Sequence, residues 1–232
     1  MKILRFEEIS STNEFAKEKR LEREDLLILA KRQTGGKGTK GRSFSSNEGG
    51  VYLTKLVFYE NFSAKDAFLI MARAAVAVCK TLEKFSLSPK IKWANDVFVA
   101  DKKICGILIE NVFSGNKISS SVIGVGLNVN NLLPDELKEI ATTMCEQAGK
   151  ELDFSAVESA LIENLNENFS MEEYLSRVGY LNEEVCLRIG ETLIPATPIC
   201  VEKDGALVVE IGGEKRRVFS GEVSLLVKGR ER

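Results

Sequence analysis

A chain of 232 residues, 44% of them hydrophobic, can build one large domain, or one domain with a small appendix, around a substantial core. A net charge of −2 excludes the basic excess of a bulk nucleic-acid binder, and no run approaches the roughly 18 apolar residues of a membrane span. There is no histidine, which removes Ser-His-Asp and Cys-His nucleophile systems and most zinc hydrolases.

Residues 3–6 are expected to form a short strand. Ser11 and Glu14 then stand at capping-box spacing and open a helix reaching about Arg23. A strand at 26–30 leads into residues 31–50, where Gly35, Gly36, Gly38, Gly41, Gly49 and Gly50 keep the chain from packing. Between Lys31 and Arg42, the basic residues Lys31, Arg32, Lys37, Lys40 and Arg42 are unaccompanied by any acid. Glycines let backbone N–H groups approach a ligand, and clustered cations make that ligand an anion, a phosphate or a carboxylate. A strand at 51–59 follows, so the G-x-G-x-x-G match of Gly36, Gly38 and Gly41 lacks the helix a dinucleotide fold needs. Gly38 after Lys37 likewise excludes a P-loop, and Ser43 in place of valine excludes a kinase loop.

A long helix at 63–85 places Phe68, Ala72, Ala75, Val76, Cys79 and Leu82 on one face. Strands at 90–93, 97–99, 104–113 and 118–125 come next, joined by polar turns. Pro134, Ser155 with Glu158, and Ser170 with Glu173 open three later helices. From Glu184 the texture changes to short β segments, read as a small barrel. Helices segregate from strands rather than alternating with them. The expected class is therefore α+β, a mixed and mostly antiparallel sheet with helices on one side, divided into a domain at 1–182 and an appendix at 183–232.

Three strand segments carry chemistry-bearing residues beside glycines. Lys92 precedes Asn95 and Asp96, which taken alone read either as an ordinary hairpin turn beside a surface lysine or as oxygens offered to Mg²⁺. Lys103 precedes the strand glycine Gly106, and Gly124 and Gly126 interrupt another apolar run before Asn128. If these strands are neighbours, one ligand can lie across them beneath the basic loop. The five cysteines, scattered and free of CxxC spacing, and the lack of an N-terminal signal segment point to the cytoplasm.

In this order the blocks resemble those of the biotin protein ligases over nearly the full chain. They are Ser11-Thr12-Asn13, Gln33 with the Gly36–Arg42 loop, Lys92–Asp96, Lys103-x-x-Gly106-x-Leu108-x-Glu110, and Gly124-x-Gly126-x-Asn128. The C-terminal segment is similar to that family's SH3-like domain, ending in Ser220-Gly221-Glu222-Val223-Ser224-Leu225. The resemblance implies activation of biotin by MgATP to biotinyl-5′-AMP and transfer to a lysine of a biotin carboxyl carrier protein of acetyl-CoA carboxylase. It implies that Ser11, Thr12, Asn13 and Gln33 hold the ureido ring, with Gly36, Lys37, Gly38 and Thr39 closing over the biotin. Lys103 would hold the biotin carboxylate at the α-phosphate. Arg42 and Lys92 would face the β- and γ-phosphates with Lys37 also at the ATP, Asn95 and Asp96 would help place Mg²⁺ beside it, and Asn128 would read adenine. Gly106, Gly124 and Gly126 would present bare backbone to the ligand.

Four positions depart from the family's pattern: Lys37 and Thr39 stand where arginines are usual, Phe44 for tryptophan and Ala94 for proline. Thr39 removes a charge, so looser retention of the adenylate is expected. The ten residues before Ser11 cannot hold a winged helix-turn-helix, so no DNA partner is expected, nor a membrane. A homodimer through a sheet edge is left open. The rival readings are a lipoate or octanoate ligase of similar fold and a non-catalytic adenylate-binding module.

Overall fold

A computed structural model describes residues 1–220 and 224–227. Its larger sheet has seven strands: β1 (Lys2–Ile9), β2 (Leu26–Gln33), β3 (Val51–Ser63), β4 (Lys90–Lys92), β5 (Asp96–Val99), β6 (Lys102–Ser114) and β7 (Lys117–Leu127). They lie in the order β1-β2-β3-β7-β6-β5-β4, with β1 parallel to β2 and the other pairs antiparallel. β2 is apolar at every position from Leu26 to Ala30 because both of its faces are covered. Leu26 and Ile28 point to one side, onto Leu56, Val122 and Ala16; Leu27 and Leu29 point to the other, into the main core.

The alternation decides where the helices sit. α2 (Ala67–Lys84) packs its buried face, including Ala72, Ala75, Val76, Cys79 and Leu82, into the main core, joined there by Val157 and Leu161 of α4 (Phe154–Asn164) and Tyr174 of α5 (Met171–Leu175). α1 (Thr12–Lys19) is the exception to the expected one-sided arrangement: Ala16 and Phe15 pack on the opposite face. That exception matters because α1 walls one end of the candidate site.

Several boundaries differ from the sequence expectation for identifiable reasons. The long helix begins at Ala67 after a single 3₁₀ turn at Ala64–Asp66. Pro134 opens only another 3₁₀ turn, Asp135–Leu137. Asp153, not Ser155, caps α4, its carboxylate accepting from Ala156 N at 3.1 Å. Helix α3 (Met144–Ala148) lies outside the expected elements, although Thr143 and Glu146 close a full capping box there. At Ser11 only half of such a box forms, because Glu14 turns its carboxylate to Lys17 and Lys37 instead.

The C-terminal strands β8 (Val185–Ile189), β9 (Thr192–Val201), β10 (Leu207–Ile211), β11 (Glu214–Val218) and β12 (Ser224–Val227) form a second, antiparallel sheet in the order β11-β10-β9-β8-β12. The expected closed barrel is corrected here. β9 is long enough to pair β8 along its first half and β10 along its second, which leaves β11 and β12 as opposite edges among the described residues. Residues 221–223 of the closing motif lie outside the described residues.

The two sheets share a core. Val185, Leu187, Leu207 and Val209 join the apolar cluster containing Ile70, Leu82 and Tyr174. The turn before β10 also reaches the larger sheet: the buried Trp93 indole donates to Gly205 O at 3.0 Å. Gly205 has φ +88°, and a Cβ there would run into the Phe68 ring. Gly205→Ala is therefore expected to cost about 1–3 kcal/mol of stability, combining left-handed strain with overpacking. Urea unfolding measures it, and an unshifted midpoint would contradict this packing.

Candidate active site

Antiparallel pairing places the three glycine-bearing or lysine-bearing segments side by side. Gly106 of β6 lies opposite Gly126 of β7 and Asp96 of β5, and Gly124 lies opposite Leu108 on one side and Thr54 of β3 on the other. Over this patch sits a cavity of about 320 Å³ lined by Ser11, Thr12 and Asn13 from α1 and its cap, Gln33, and Lys37, Gly38, Thr39 and Arg42 of the glycine loop. Lys92, Asn95, Asp96, Lys103, Gly106, Gly124, Gly126 and Asn128 complete the sheet side. Every site residue expected from sequence borders this one cavity except Gly36. Gly36 is instead packed within the loop, where a Cβ would press on Phe44 O and Ser46 Oγ.

At the α1 end, chemistry fixes the direction of each hydrogen bond. Thr12 N–H donates to Gln33 Oε1 at 2.8 Å, so Gln33 must present its oxygen there; its Nε2 donates to Ser46 Oγ at 2.9 Å, and Ser46 passes a proton on to Phe44 O. The Thr12 hydroxyl lies 3.0 Å from Gln33 Oε1 and 2.8 Å from Thr54 Oγ1, and its proton is spent on one of these oxygens. Asn13 donates its Nδ2 to Glu110 Oε2 at 3.2 Å and accepts at Oδ1 from the buried Thr54 hydroxyl at 2.7 Å. Toward the cavity, Thr12 Oγ1 and Asn13 Oδ1 are thus left as acceptors. Ser11 Oγ, which accepts from Glu14 N, keeps its proton to donate.

The other end is cationic. Lys37, Arg42, Lys92 and Lys103 line it, against the single carboxylate of Asp96. The Lys103 ammonium sits 2.7 Å from the buried Asp96 Oδ1, an ion pair whose angles fall outside hydrogen-bond geometry. Arg42 is held by Thr39, donating from Nε to its carbonyl at 3.3 Å and from Nη2 to its hydroxyl at 3.0 Å. Lys37 meets Glu14 at 2.8 Å. Lys17 and then Lys37 hold the Glu14 carboxyl below its ordinary range. The Lys92 ammonium lies over the Phe98 ring, 5.0 Å from its centroid.

Two expectations change in this geometry. The glycines are not bare: the Phe44 ring covers Gly106 and Gly126, and the Asn13 amide covers Gly124, in each case where a Cβ would stand. The backbone is open so that two protein side chains can lie flat on the sheet and form the cavity floor. Asn128 is 4% exposed, and its amide donates to Thr142 O at 3.1 Å and accepts from Asn131 Nδ2 at 3.2 Å. Only its remaining N–H and lone pair could read a base edge. Asn95 similarly spends its Nδ2 on Ile107 O at 2.9 Å.

Sequence alone assigns no role to Thr54 or Ser46, nor any to Leu133, Leu137, Ile140 and Ala141, which line the cavity beside Asn128. Thr54 does carry a signal: it is the one aliphatic hydroxyl between Val51 and Phe58, flanked by Leu53 and by Leu56 to Phe58. Glu110 closes its sequence block without an evident task there. The stretch containing Leu133 to Ala141 approaches Lys103 through its backbone, Lys103 N donating to Ile140 O and Thr142 N to Lys103 O, both at 2.9 Å.

The chain is 28% identical over 216 residues to the bifunctional ligase/repressor BirA of Bacillus subtilis, covering 87% of this chain and 66% of that protein. It is also 28% identical over 232 residues to the BirA of Escherichia coli, covering 94% of this chain and 72% of that one. It thus spans about two thirds of the length of these relatives. Among solved structures, the biotin protein ligase from Aquifex aeolicus in complex with biotin and ATP superposes with a TM-score of 0.76 at 29% identity, covering 98% of this chain and 99% of that one. The model of the biotin/lipoate A/B protein ligase family matches residues 5–128, more than half of the chain, which therefore belongs to that family.

Proposed function

We propose that the chain is a biotin protein ligase, forming biotinyl-5′-AMP from biotin and MgATP and passing the biotinyl group to a lysine of a biotin carboxyl carrier domain. The observation that carries this reading is the directional network at the α1 end. Two acceptors, Thr12 Oγ1 and Asn13 Oδ1, and one donor, Ser11 O–H, match a cyclic urea, which offers two N–H groups and one C=O. The dithiolane ring of lipoate offers none of these partners and would leave them unpaired, a loss that polar sites discriminate strongly.

The opposite end suits the chemistry. Lys103 would turn from Asp96 to the ligand carboxylate and hold one of its oxygens against the α-phosphorus; that oxygen forms the new P–O bond as pyrophosphate leaves. Arg42, Lys92 and Lys37 would spread over the phosphate oxygens, stabilising the charge that develops there. The carrier's amine then attacks the acyl carbon and AMP departs.

Mg²⁺ takes one or two protein carboxylates together with phosphate oxygens and water. No group of three or more His, Cys, Asp or Glu ligands exists among the described residues, so Asp96 fits as the single protein carboxylate of such a site. The ion would neutralise phosphate charge. Catalysis is assigned to residues 1–182, with 183–232 as a buttress that reaches the Trp93 turn.

Thermal-shift titration tests the substrate. Biotin is expected to raise the melting temperature and lipoate to leave it unchanged; the reverse order overturns the reading. Thr39 is a place where this chain should differ from relatives with arginine there. Its hydroxyl now engages Arg42, and the loop lacks one cation. Thr39→Arg is expected to reduce escape of the adenylate, seen as less labelling of a bystander protein by mass spectrometry. Labelling that is already low and stays unchanged contradicts it.

A further inference from the structure

We propose that Glu110 is the positioning residue that sets the polarity of Asn13, and thereby makes this corner of the cavity demand an N–H donor from its ligand. The inference rests on the biotin reading and deepens it. An asparagine amide can sit either way round, and nothing else touching Asn13 decides the matter. The Thr54 hydroxyl donates to Asn13 Oδ1 at 2.7 Å, but it could equally accept from an amide turned over. Gly124 is indifferent, having no side chain at all. A carboxylate only accepts. Glu110 Oε2, 3.2 Å from Asn13 Nδ2, therefore forbids the reversed amide, which would set two oxygens against each other.

Glu110 is itself held in place by an ion pair. Its other oxygen, Oε1, meets the Lys17 ammonium at 2.5 Å, and the same ammonium meets Glu14 at 2.8 Å. Burial pulls the Lys17 pKa down, but Glu110 and Glu14 outweigh it and the net effect is upward, so the lysine stays charged. Asn13 is only 5% exposed, so the orientation enforced from behind is the one a ligand meets. Lys17 and Glu110 stand outside the lining of the cavity, so their effect would be exerted through Asn13.

The test is biotin titration calorimetry on the full chain and on three variants. Glu110→Gln removes the rule against reversal and is expected to weaken biotin about tenfold, with the KM for MgATP unchanged. Asn13→Asp sets two carboxylates face to face and is expected to weaken biotin about a hundredfold. Combining the two restores a donor–acceptor pair, since the introduced glutamine amide can donate to the introduced aspartate carboxylate, and binding should return to within about tenfold of the unmodified chain. Wild-type affinity in Glu110→Gln overturns the proposal. So does a double variant no tighter than Asn13→Asp, or a KM for MgATP that rises in step with the biotin Kd, the mark of general damage. If the unmodified chain fails to bind biotin, the functional reading itself falls, and this inference with it.

Discussion

Replacing Lys103 by alanine is expected to slow adenylate formation by about 10²–10³-fold, or roughly 2.7–4 kcal/mol of transition-state stabilisation. Three features make this the largest single-residue effect. Lys103 reaches into the cavity from the strand next to Asp96, and its ammonium already holds an anionic oxygen at 2.7 Å. Its backbone is pinned on both sides by Ile140 and Thr142, so the side chain starts from a fixed point. Its removal also leaves the buried Asp96 without that counter-charge, adding electrostatic repulsion toward phosphate. The loss should fall on kcat, because the interaction strengthens as charge develops on the phosphate, while biotin affinity changes far less. Single-turnover formation of the adenylate measures it. Equal rates in the two proteins would remove Lys103 from the mechanism.

Gly124→Ala is expected to weaken biotin by about 100-fold while leaving the fold in place. Gly124 lies in the middle of β7 with ordinary extended backbone, so alanine brings no conformational strain. Its Cβ, however, would occupy the position of the Asn13 amide. Asn13 must move away, giving up Thr54 and Glu110 and withdrawing its acceptor from the ligand; two hydrogen bonds at about 1–1.5 kcal/mol each correspond to the stated factor. The overpacking cost to stability is about 1–3 kcal/mol. Calorimetric biotin affinity, alongside urea unfolding, separates the two effects. Unchanged affinity would show that Asn13 is not the residue holding the ring.

The order of strands β2, β3, β6 and β7 was not written in the sequence, yet the clustering of the site was foreseeable from one premise, that the glycine-bearing strands adjoin. Their pairing satisfies it: Gly106 faces Gly126. What the glycines are for could not be read from sequence, because both readings require a missing Cβ. A ligand on bare backbone and a Phe44 ring on bare backbone leave the same signature. Asn128 shows a similar limit. Its residue type suited base recognition, but its commitment to Thr142 and Asn131 depends on how the segment after β7 folds back. Helix α3 escaped because its five residues are too short for a periodic apolar pattern, and only the Thr143–Glu146 spacing marked it. The barrel expectation failed because short alternating strands specify a sheet but not whether its edges meet.

One cavity joins a urea-matching end at α1 to a phosphate-matching end at Lys103. Radiolabelled pyrophosphate exchange into ATP, with the purified chain, Mg²⁺ and either biotin, lipoate or no acid, tests both ends at once without needing the carrier. Exchange is expected with biotin, and background levels in the other two reactions. Exchange that proceeds equally with lipoate, or that never depends on an added acid, contradicts that pairing of ends.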